Sequence, residues 1–130
     1  MRKVTRLERG WAGHFICASD CLFRRNTLLA CGTIRIVVST VGLMVNTLKG
    51  KGVNFEEKYT EIGPNRYYET MAFHSDPRDT RYHDISVDRE VSFDSPWAIS
   101  KLDADDKANE IHEQVVKELT LKLANGEIIE

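Results

Sequence analysis

An apolar stripe with helical spacing runs through the last quarter of the sequence. It comprises Ala104, Ala108, Ile111, Val115, Leu119 and Leu123. Asp103 is a suitable N-cap residue, and Asn125-Gly126 is a typical helix end. A helix with one apolar face must bury that face, either on a sheet of the same chain or on a second copy of itself. We therefore expect one long C-terminal helix, which we place at an oligomer interface.

Strand-like sequence precedes this helix. Segments rich in β-branched and aromatic residues predict strands at 11–17, 22–29, 33–41, 55–62, 66–73 and 85–93. Cys31-Gly32 and Gly63-Pro64-Asn65 predict tight turns between strands, whereas 5–10 predicts a short helical turn. In 85–93 apolar and polar residues alternate, which indicates one packed face and one wet face. The predicted fold is α+β, a mostly antiparallel sheet in the N-terminal two-thirds followed by one long C-terminal helix.

The chain has the size and composition of one small globular domain. It holds 130 residues, of which 42% are hydrophobic and 29% are charged, enough apolar material for a core. No stretch of about 18 apolar residues occurs, and no hydrophobic signal segment follows the basic N-terminus. Three cysteines, an odd number, favour reduced thiols over a disulfide framework. We expect a single ligand-binding domain over residues 1–130, located in the cytoplasm and not in a membrane.

Positive charge is concentrated in the N-terminal part of the chain. Residues 1–52 contain nine Lys or Arg and two acidic residues, a net charge of +7, whereas residues 53–130 contain nine and eighteen, a net charge of −9. A basic half favours an anionic ligand such as a phosphate, although the same asymmetry arises when two oppositely charged halves pack together. The pI of about 6.1 argues against polymeric nucleic acid as a partner.

His14, Cys17, Cys21 and Cys31 are the candidate metal ligands. Their spacing contains no Cys-x2-Cys pair, and neighbouring ligands in a strand point to opposite faces of the sheet. We therefore expect no bound metal and buried, reduced thiols instead.

Catalytic motifs are missing from the sequence, which has no nucleophile elbow, no paired-carboxylate motif and no Gly-rich phosphate loop. We therefore expect a protein that is not an enzyme, with no catalytic residue and no cofactor. Because triads form in space and need not show in sequence, the alternative is a hydrolase or related enzyme acting on a nucleotide or ADP-ribose derivative. Its acid–base candidates are His83, Asp84 and Glu69.

Two arginine clusters with neighbouring aromatic rings form the candidate ligand site. The planar guanidinium group suits bidentate contact with phosphate, and aromatic faces suit a purine. Each arginine is otherwise a solvated side chain or a member of an ion pair, and Trp97 is otherwise a lid on the core. The candidate ligand-binding residues are Phe23, Arg24, Arg25, Asn26, Phe73, Arg78, Arg81, Tyr82, His83, Asp84 and Trp97.

Several of these segments resemble the phage Thoeris anti-defence family. The resemblance covers most of the chain and is carried by the runs RGWAGHFIC at 9–17, CLFRRNTL at 21–28, IVVSTVG at 36–42 and YETMAFH at 68–74, continuing to Trp97. It implies a sponge that binds the cyclic ADP-ribose-type signal of bacterial TIR-domain proteins, holds it intact and so blocks host immune signalling. It also implies a homodimer or larger homo-oligomer in the cytoplasm of the infected host, with cyclic oligonucleotides as possible ligands at a separate place.

Overall fold

The computed structural model describes residues 1–9, 14, 20–45, 59–81 and 84–129. Within these ranges, seven strands and one helix form. They are β1 (Thr5–Arg9), β2 (Cys21–Cys31), β3 (Ile34–Val45), β4 (Tyr59–Thr60), β5 (Tyr68–Ser75), β6 (Ile85–Glu90), β7 (Ala98–Ile99) and α1 (Asp105–Ala124).

The strands form one antiparallel sheet in the order β1-β2-β3-β5-β6, in which β4 also pairs with β3 and β7 also pairs with β5. The long β2–β3 hairpin turns at Gly32, whose φ of +61° is a conformation that glycine adopts at no steric cost. The α+β fold with one C-terminal helix is therefore confirmed, as are the strands predicted at 22–29 and 33–41.

Helix α1 covers one face of this sheet. Its apolar stripe meets Leu29, Ile36, Val38 and Ala72 in the main core. Burying each Leu, Ile or Val side chain there contributes about 1.5–3 kcal/mol. Ile111, Val115, Leu119 and Leu123 are at most 3% exposed, so the sheet of the same chain already covers the stripe. This removes the reason for placing an oligomer interface on α1, and oligomerisation itself stays a prediction.

The start of α1 differs from the prediction. Its N-cap residue is Ala104 rather than Asp103, and no side chain of the N-cap residue makes a capping bond. The Tyr68 hydroxyl group accepts a hydrogen bond from the Ala104 N–H at 2.9 Å and donates one to Asp105 at 2.7 Å. A side chain from β5 therefore satisfies an orphan donor of the helix and ties the helix start to the sheet. The predicted end is confirmed, since Asn125 is the C-cap and Gly126 has a φ of +75°.

Three local predictions need correction. Residues 5–9 form strand β1 and no helical turn, because they pair with β2 over five positions. The turn around Asn65 is present, but β4 and β5 both pair with β3 instead of with each other. Strand β6 ends at Glu90, and its predicted apolar face is only partly packed, since Val87 is 67% exposed. The predicted strand at 11–17 and part of that at 55–62 lie outside the described residues.

The sheet face opposite α1, here called the distal face, is also largely buried. Side chains alternate along each strand, so the neighbours of the helix-facing residues point to this side. The buried residues of the distal face include Asn26, Leu28, Val37, Ser39, Glu69 and Phe73. Of the helices that the structure describes, none is long and apolar enough to cross a membrane.

Candidate functional site

An open cavity of about 370 Å³ lies where the β2–β3 turn meets the end of β5 and strand β6. Its volume falls in the range of small-molecule sites, roughly 300–1,000 Å³. Its lining combines two arginines, a histidine and two hydroxyl side chains with the apolar Ile34 and Pro77. The lining residues are Thr33, Ile34, Arg35, His74, Ser75, Pro77 and Arg89.

The backbone carbonyl groups of the cavity hold its two arginines in place. Arg35 follows the Gly32 turn, and its Nη1 donates to the carbonyl oxygens of Gly32 at 2.5 Å and Ile34 at 3.1 Å. Arg89 reaches from β6 to β5, where its Nη1 donates to the Ser75 carbonyl oxygen at 3.4 Å. Both side chains are half-buried, so their charges are partly shielded from bulk water.

Among the described residues, no carboxylate lies within salt-bridge distance of Arg35 or Arg89. The nearby Asp76 is engaged by Arg78, whose hydrogen bonds are the main reason that the pKa of Asp76 lies below its ordinary value. Arg89 adds only a smaller electrostatic contribution to that shift. The cavity therefore carries two positive charges whose partners are neutral carbonyl groups, which is the condition for binding an anion.

A different arrangement holds Arg25, which the sequence placed in the candidate site. It lies on the helix side of the sheet, where its Nη2 donates at 2.8 Å to both Glu8 and Glu113. Arg6 makes a bidentate contact with Glu113 at 2.9 and 3.0 Å. Hydrogen bonds, that of Arg6 first, lower the pKa of Glu113 to about 2. Arg25 is thus a structural link between β1, β2 and α1, and its charge is compensated.

A buried histidine lies beside this network. His112 of α1 is fully buried and hydrogen-bonds with Thr27 at 2.8 Å and with Thr40 at 2.7 Å. Burial, and next the charge of Arg25, lower the pKa of His112 to about 4. One ligand atom each of Glu8, His112 and Glu113 lie within 4.8 Å of one another, a metal-like grouping. The guanidinium groups already bound to both carboxylates oppose a further cation there, so this grouping does not favour a metal ion.

On the distal face, a network of polar side chains connects His14 to strands β3 and β5. His14 is hydrogen-bonded at 2.9 Å both with Ser39, through Nδ1, and with Glu69, through Nε2. Arg66 donates to the second oxygen of Glu69 at 2.7 Å. Burial raises the pKa of Glu69, but the hydrogen bonds from His14 and Arg66 outweigh it and leave this pKa below its ordinary value.

The series Ser39, His14 and Glu69 has the composition of a hydrolytic triad, yet its geometry favours a structural role. Ser39 is 0% exposed in the middle of the central strand, so its hydroxyl group offers no path to a substrate. The hydroxyl group is on Nδ1 and the carboxylate on Nε2, the reverse of the arrangement in the serine protease triad. We interpret these side chains as a buried polar network whose hydrogen bonds are satisfied and which ties His14 to the sheet.

The remaining predicted residues of 23–26 do not form one pocket. Phe23 is a core residue that packs edge-to-face on Tyr68, with ring centroids 5.7 Å apart. Arg24 is exposed, and Asn26 is buried on the distal face. Arg24 and Arg25 lie on opposite faces of β2, so at most one of the two guanidinium groups points into a given pocket.

The 76–84 loop borders the cavity through Pro77, and its predicted residues that the structure describes, Arg78, Arg81 and Asp84, do not line it. The side chain of Arg78 is 89% exposed and binds Asp76 at 3.1 Å. Asp84 accepts a hydrogen bond from the N–H of Ile85, so it stabilises the start of β6. Arg81 is exposed, and Tyr82 and His83 lie outside the described residues.

The two predicted aromatic residues are placed apart. Phe73 is 4% exposed on the distal face, where its ring lies 5.9 Å from that of His14. Trp97 is 46% exposed and carries the Arg66 guanidinium group 5.1 Å from its ring centroid. Phe73 is therefore a core residue, whereas Trp97 is a half-open ring already stacked by a cation.

Sequence reasoning missed Arg35, Arg89 and His74. For Arg35 and Arg89 the sequence does contain a signal that could have identified them. Arg35 interrupts the apolar run of β3, and Arg89 shares the strand side of Ile85 and Val87. A charged residue inside an apolar stripe needs a partner or a ligand, which makes it a better candidate than an arginine in polar sequence.

The cysteines bear on the metal prediction. Cys21 and Cys31 are buried at the two ends of β2. Ten residues of strand place them roughly 33 Å apart, so they do not share an ion. Cys17 lies outside the described residues, and the absence of a bound metal stays a prediction.

The chain matches no protein-family model, and neither a curated protein nor a solved structure is significantly similar to it.

Proposed function

We propose that this protein binds a cyclic ADP-ribose isomer through its diphosphate group and holds it without cleaving it. As a phage counter-defence protein in the cytoplasm of an infected bacterium, it would thereby remove the signal of TIR-based immunity. The observation that carries the proposal is the pair of half-buried arginines in one cavity, Arg35 and Arg89, with no described carboxylate to neutralise either. The resemblance of the sequence to Thoeris anti-defence proteins supports the choice of ligand.

The donors of these arginines fit a diphosphate. The Nη1 atom of each is used by a backbone carbonyl group, and Nε and Nη2 make no hydrogen bond to a described residue. Each guanidinium group therefore has an edge left for bidentate contact with phosphate oxygens. Thr33, Ser75 and His74 add polar side chains to the same lining, where ribose hydroxyl groups require hydrogen-bonding partners.

Retention of the intact ligand is supported by the chemistry of the lining. Enzymes that cleave glycosidic bonds use a pair of carboxyl groups around the scissile bond. None of the described residues that line the cavity is Asp, Glu or Cys. A sponge requires tight binding without such a nucleophile, and charge-assisted hydrogen bonds in a partly enclosed site provide the binding.

Calorimetric titration with cyclic ADP-ribose isomers at fixed salt tests the proposal. We expect binding, and we expect chromatography of the heat-released ligand to recover it unchanged. Arg35→Ala and Arg89→Ala should each cost about 1.5–3 kcal/mol, because a charge-assisted bond is lost. That loss is roughly ten- to hundredfold in affinity. Arg78→Ala is the matched control, since its exposed side chain lies next to the cavity without lining it.

Failure of the wild type to bind any isomer would reject the function. Binding that survives both cavity substitutions would keep the function and reject the site.

An enzyme acting on a nucleotide or ADP-ribose derivative is the second candidate, because its acid–base candidate Glu69 is hydrogen-bonded to His14. It predicts a changed product after incubation, and Glu69→Gln would then abolish the change. Intact ligand after long incubation with wild-type protein excludes this candidate for that ligand.

A further inference from the structure

Strands β6 and β7 pair with the same edge of β5, but they are out of step with each other. Along this edge, Phe73 of β5 lies opposite Glu90, and Glu69 lies opposite Ala98. Between the two pairings β5 advances by four residues, whereas its partner advances by eight. The partner chain therefore leaves the sheet for part of its course, in a segment here called the 91–97 loop.

The 91–97 loop is fixed at both ends and at its tip. Val91 donates its N–H to β5 at 2.8 Å, and Thr70 of β5 donates its N–H to the last residue of the loop at 2.7 Å. At the tip, Glu118 of α1 accepts hydrogen bonds from the N–H groups of residues 94 and 95 at 2.7 and 2.9 Å, and from the Ser95 hydroxyl group at 2.6 Å. These bonds fix the course of the loop, so the cavity of about 230 Å³ between the loop and β5 is part of the folded state.

The lining of this loop cavity differs in charge from that of the cavity at the β2–β3 turn. Its apolar part is formed by Met71, Val91, Phe93 and Trp97. The described residues that line it include no Lys, Arg or His, and Glu90 is the only one among them that carries a charge. The loop cavity therefore joins an apolar surface to one negative charge, whereas the other cavity contains two positive charges.

Among the described residues, no cation lies within salt-bridge distance of the Glu90 carboxylate. Arg89, the preceding residue, donates to a backbone carbonyl group of β5 at 3.4 Å, and Arg66 is bound to a carboxylate of β5 at 2.7 Å. Asp88 and Asp94, which are exposed and lie close to Glu90 along the chain, add further negative charge. The electrostatics of the loop cavity therefore favour a cation and oppose a phosphate group.

Trp97 and the size of the cavity limit what such a cation can be. The Arg66 guanidinium group lies 5.1 Å from the Trp97 ring centroid, yet Trp97 is still 46% exposed, so part of its ring surface is open. An aromatic ring packs favourably on an indole, and the thioether of Met71 adds a favourable sulfur–aromatic contact. A volume of about 230 Å³ is below the range of drug-sized ligand sites, roughly 300–1,000 Å³. The loop cavity therefore fits one ring with a short chain and not a whole nucleotide.

We propose that the loop cavity binds a small arylalkylamine, with its ammonium group on Glu90 and its aromatic ring against Trp97. A ligand of this class carries the two features that the lining complements, a positive charge and one flat apolar ring. The site does not depend on the proposed nucleotide ligand. Arg89 and Glu90 are neighbours on β6, but each lines a different cavity.

Titration of the full-length chain with phenethylamine, followed by nuclear magnetic resonance, tests this site. The indole N–H signal of Trp97, assigned by its loss in Trp97→Phe, should shift and reach saturation. Phenylpropionate has the same ring but a carboxylate in place of the amine, and it should leave the signal unchanged. Glu90→Gln should lower the affinity for phenethylamine roughly tenfold, because a charge-assisted hydrogen bond is lost. Asp88→Asn is the matched control, since it removes the same charge from an exposed position of β6 outside the lining, and it should bind as the wild type does.

A Trp97 signal that does not move with phenethylamine overturns the proposal. Equal shifts with phenylpropionate, or equal losses of affinity in Glu90→Gln and Asp88→Asn, also overturn it, because the Glu90 carboxylate then does not select the ligand. If Glu90→Gln fails to fold, the wild type decides through phenethyl alcohol, which has the same ring and no charge. The alcohol should bind roughly tenfold more weakly than the amine, and equal affinities would contradict the proposal.

Discussion

The helix side of the sheet and the cavity at its end both hold pairs of arginines, but the two regions use them differently. On the helix side, Arg6 and Arg25 share Glu8 and Glu113, so their positive charges are compensated by carboxylates of the same chain. In the cavity, Arg35 and Arg89 contact only carbonyl oxygens among the described residues. The difference indicates that an arginine can bind an anionic ligand when its partners in the fold are neutral carbonyl groups, because its charge is then not compensated by a carboxylate.

The comparison also explains why local sequence misled the choice of arginines. The sequence favours Arg25 as a ligand-binding residue, because acidic residues are scarce around it along the chain. Folding then places Glu8 of β1 and Glu113 of α1 within 2.8 Å of it. Both partners are distant in sequence, so no local pattern contains them.

The largest expected difference between the two regions is in ligand affinity, and it is tested by replacing both arginines of each pair. We expect the double variant Arg35→Ala, Arg89→Ala to lose at least about 3 kcal/mol of ligand affinity, roughly a hundredfold or more. The double variant Arg6→Ala, Arg25→Ala should bind almost as the wild type does. Lys at 35 and 89 should restore affinity only in part, because an ammonium group lacks the bidentate fork. Calorimetric titration measures all three, and the reverse order of losses would contradict the distinction.

A second prediction concerns acid stability on the helix side. Because burial lowers the pKa of His112 to about 4, the folded protein keeps this imidazole neutral while the unfolded chain takes up a proton near pH 6.5. The stability that His112 provides is therefore complete above pH 6.5 and is lost as the pH falls to about 4. The pH-dependent part amounts to at most about 3 kcal/mol.

Urea unfolding of the wild type and of His112→Gln at pH 4.5 and pH 7 measures this effect. The wild type should lose more free energy of unfolding between the two pH values than the variant does. Equal losses in both proteins would show that His112 does not carry the effect.

The smallest effect is expected for Arg25→Ala alone. It should lower the free energy of unfolding by about 1 kcal/mol, because Glu8 and Glu113 then share one cation, Arg6, instead of two. Arg24→Ala is the matched control on the neighbouring position and should change stability by less than about 0.5 kcal/mol. Thermal unfolding of both variants decides, and an Arg25 variant as stable as the Arg24 variant would mean that the network adds nothing.

The fold was more predictable than the site, because periodicity is local and sites are not. The spacing of Ile111, Val115 and Leu119 and the β-branched run of β3 indicated the helix and the central strand directly. The sequence pattern did not indicate which strands pair with each other. Strand β4 pairs with β3 and not with β5, and residues 5–9 form a strand only because β2 offers them an edge.

The candidate site depended on such pairings throughout. Arg35, His74 and Arg89 come from three strands and meet only once β5 lies between β3 and β6. Phe73 and Phe23 looked like stacking rings, but the sheet turns both into the core. The exposed positions Arg24, Arg78 and Arg81 were predicted from residue type alone, which does not distinguish a solvated cation from one in a cavity.

A crystal structure of the complex with a cyclic ADP-ribose isomer measures directly whether the arginine cavity is the ligand site. We expect the diphosphate oxygens to lie about 2.7–2.9 Å from guanidinium nitrogens of Arg35 and Arg89, with the glycosidic bonds intact. A ligand bound at Arg24, on the distal face or at Trp97, with Arg35 and Arg89 contacting only their carbonyl groups, would contradict this assignment.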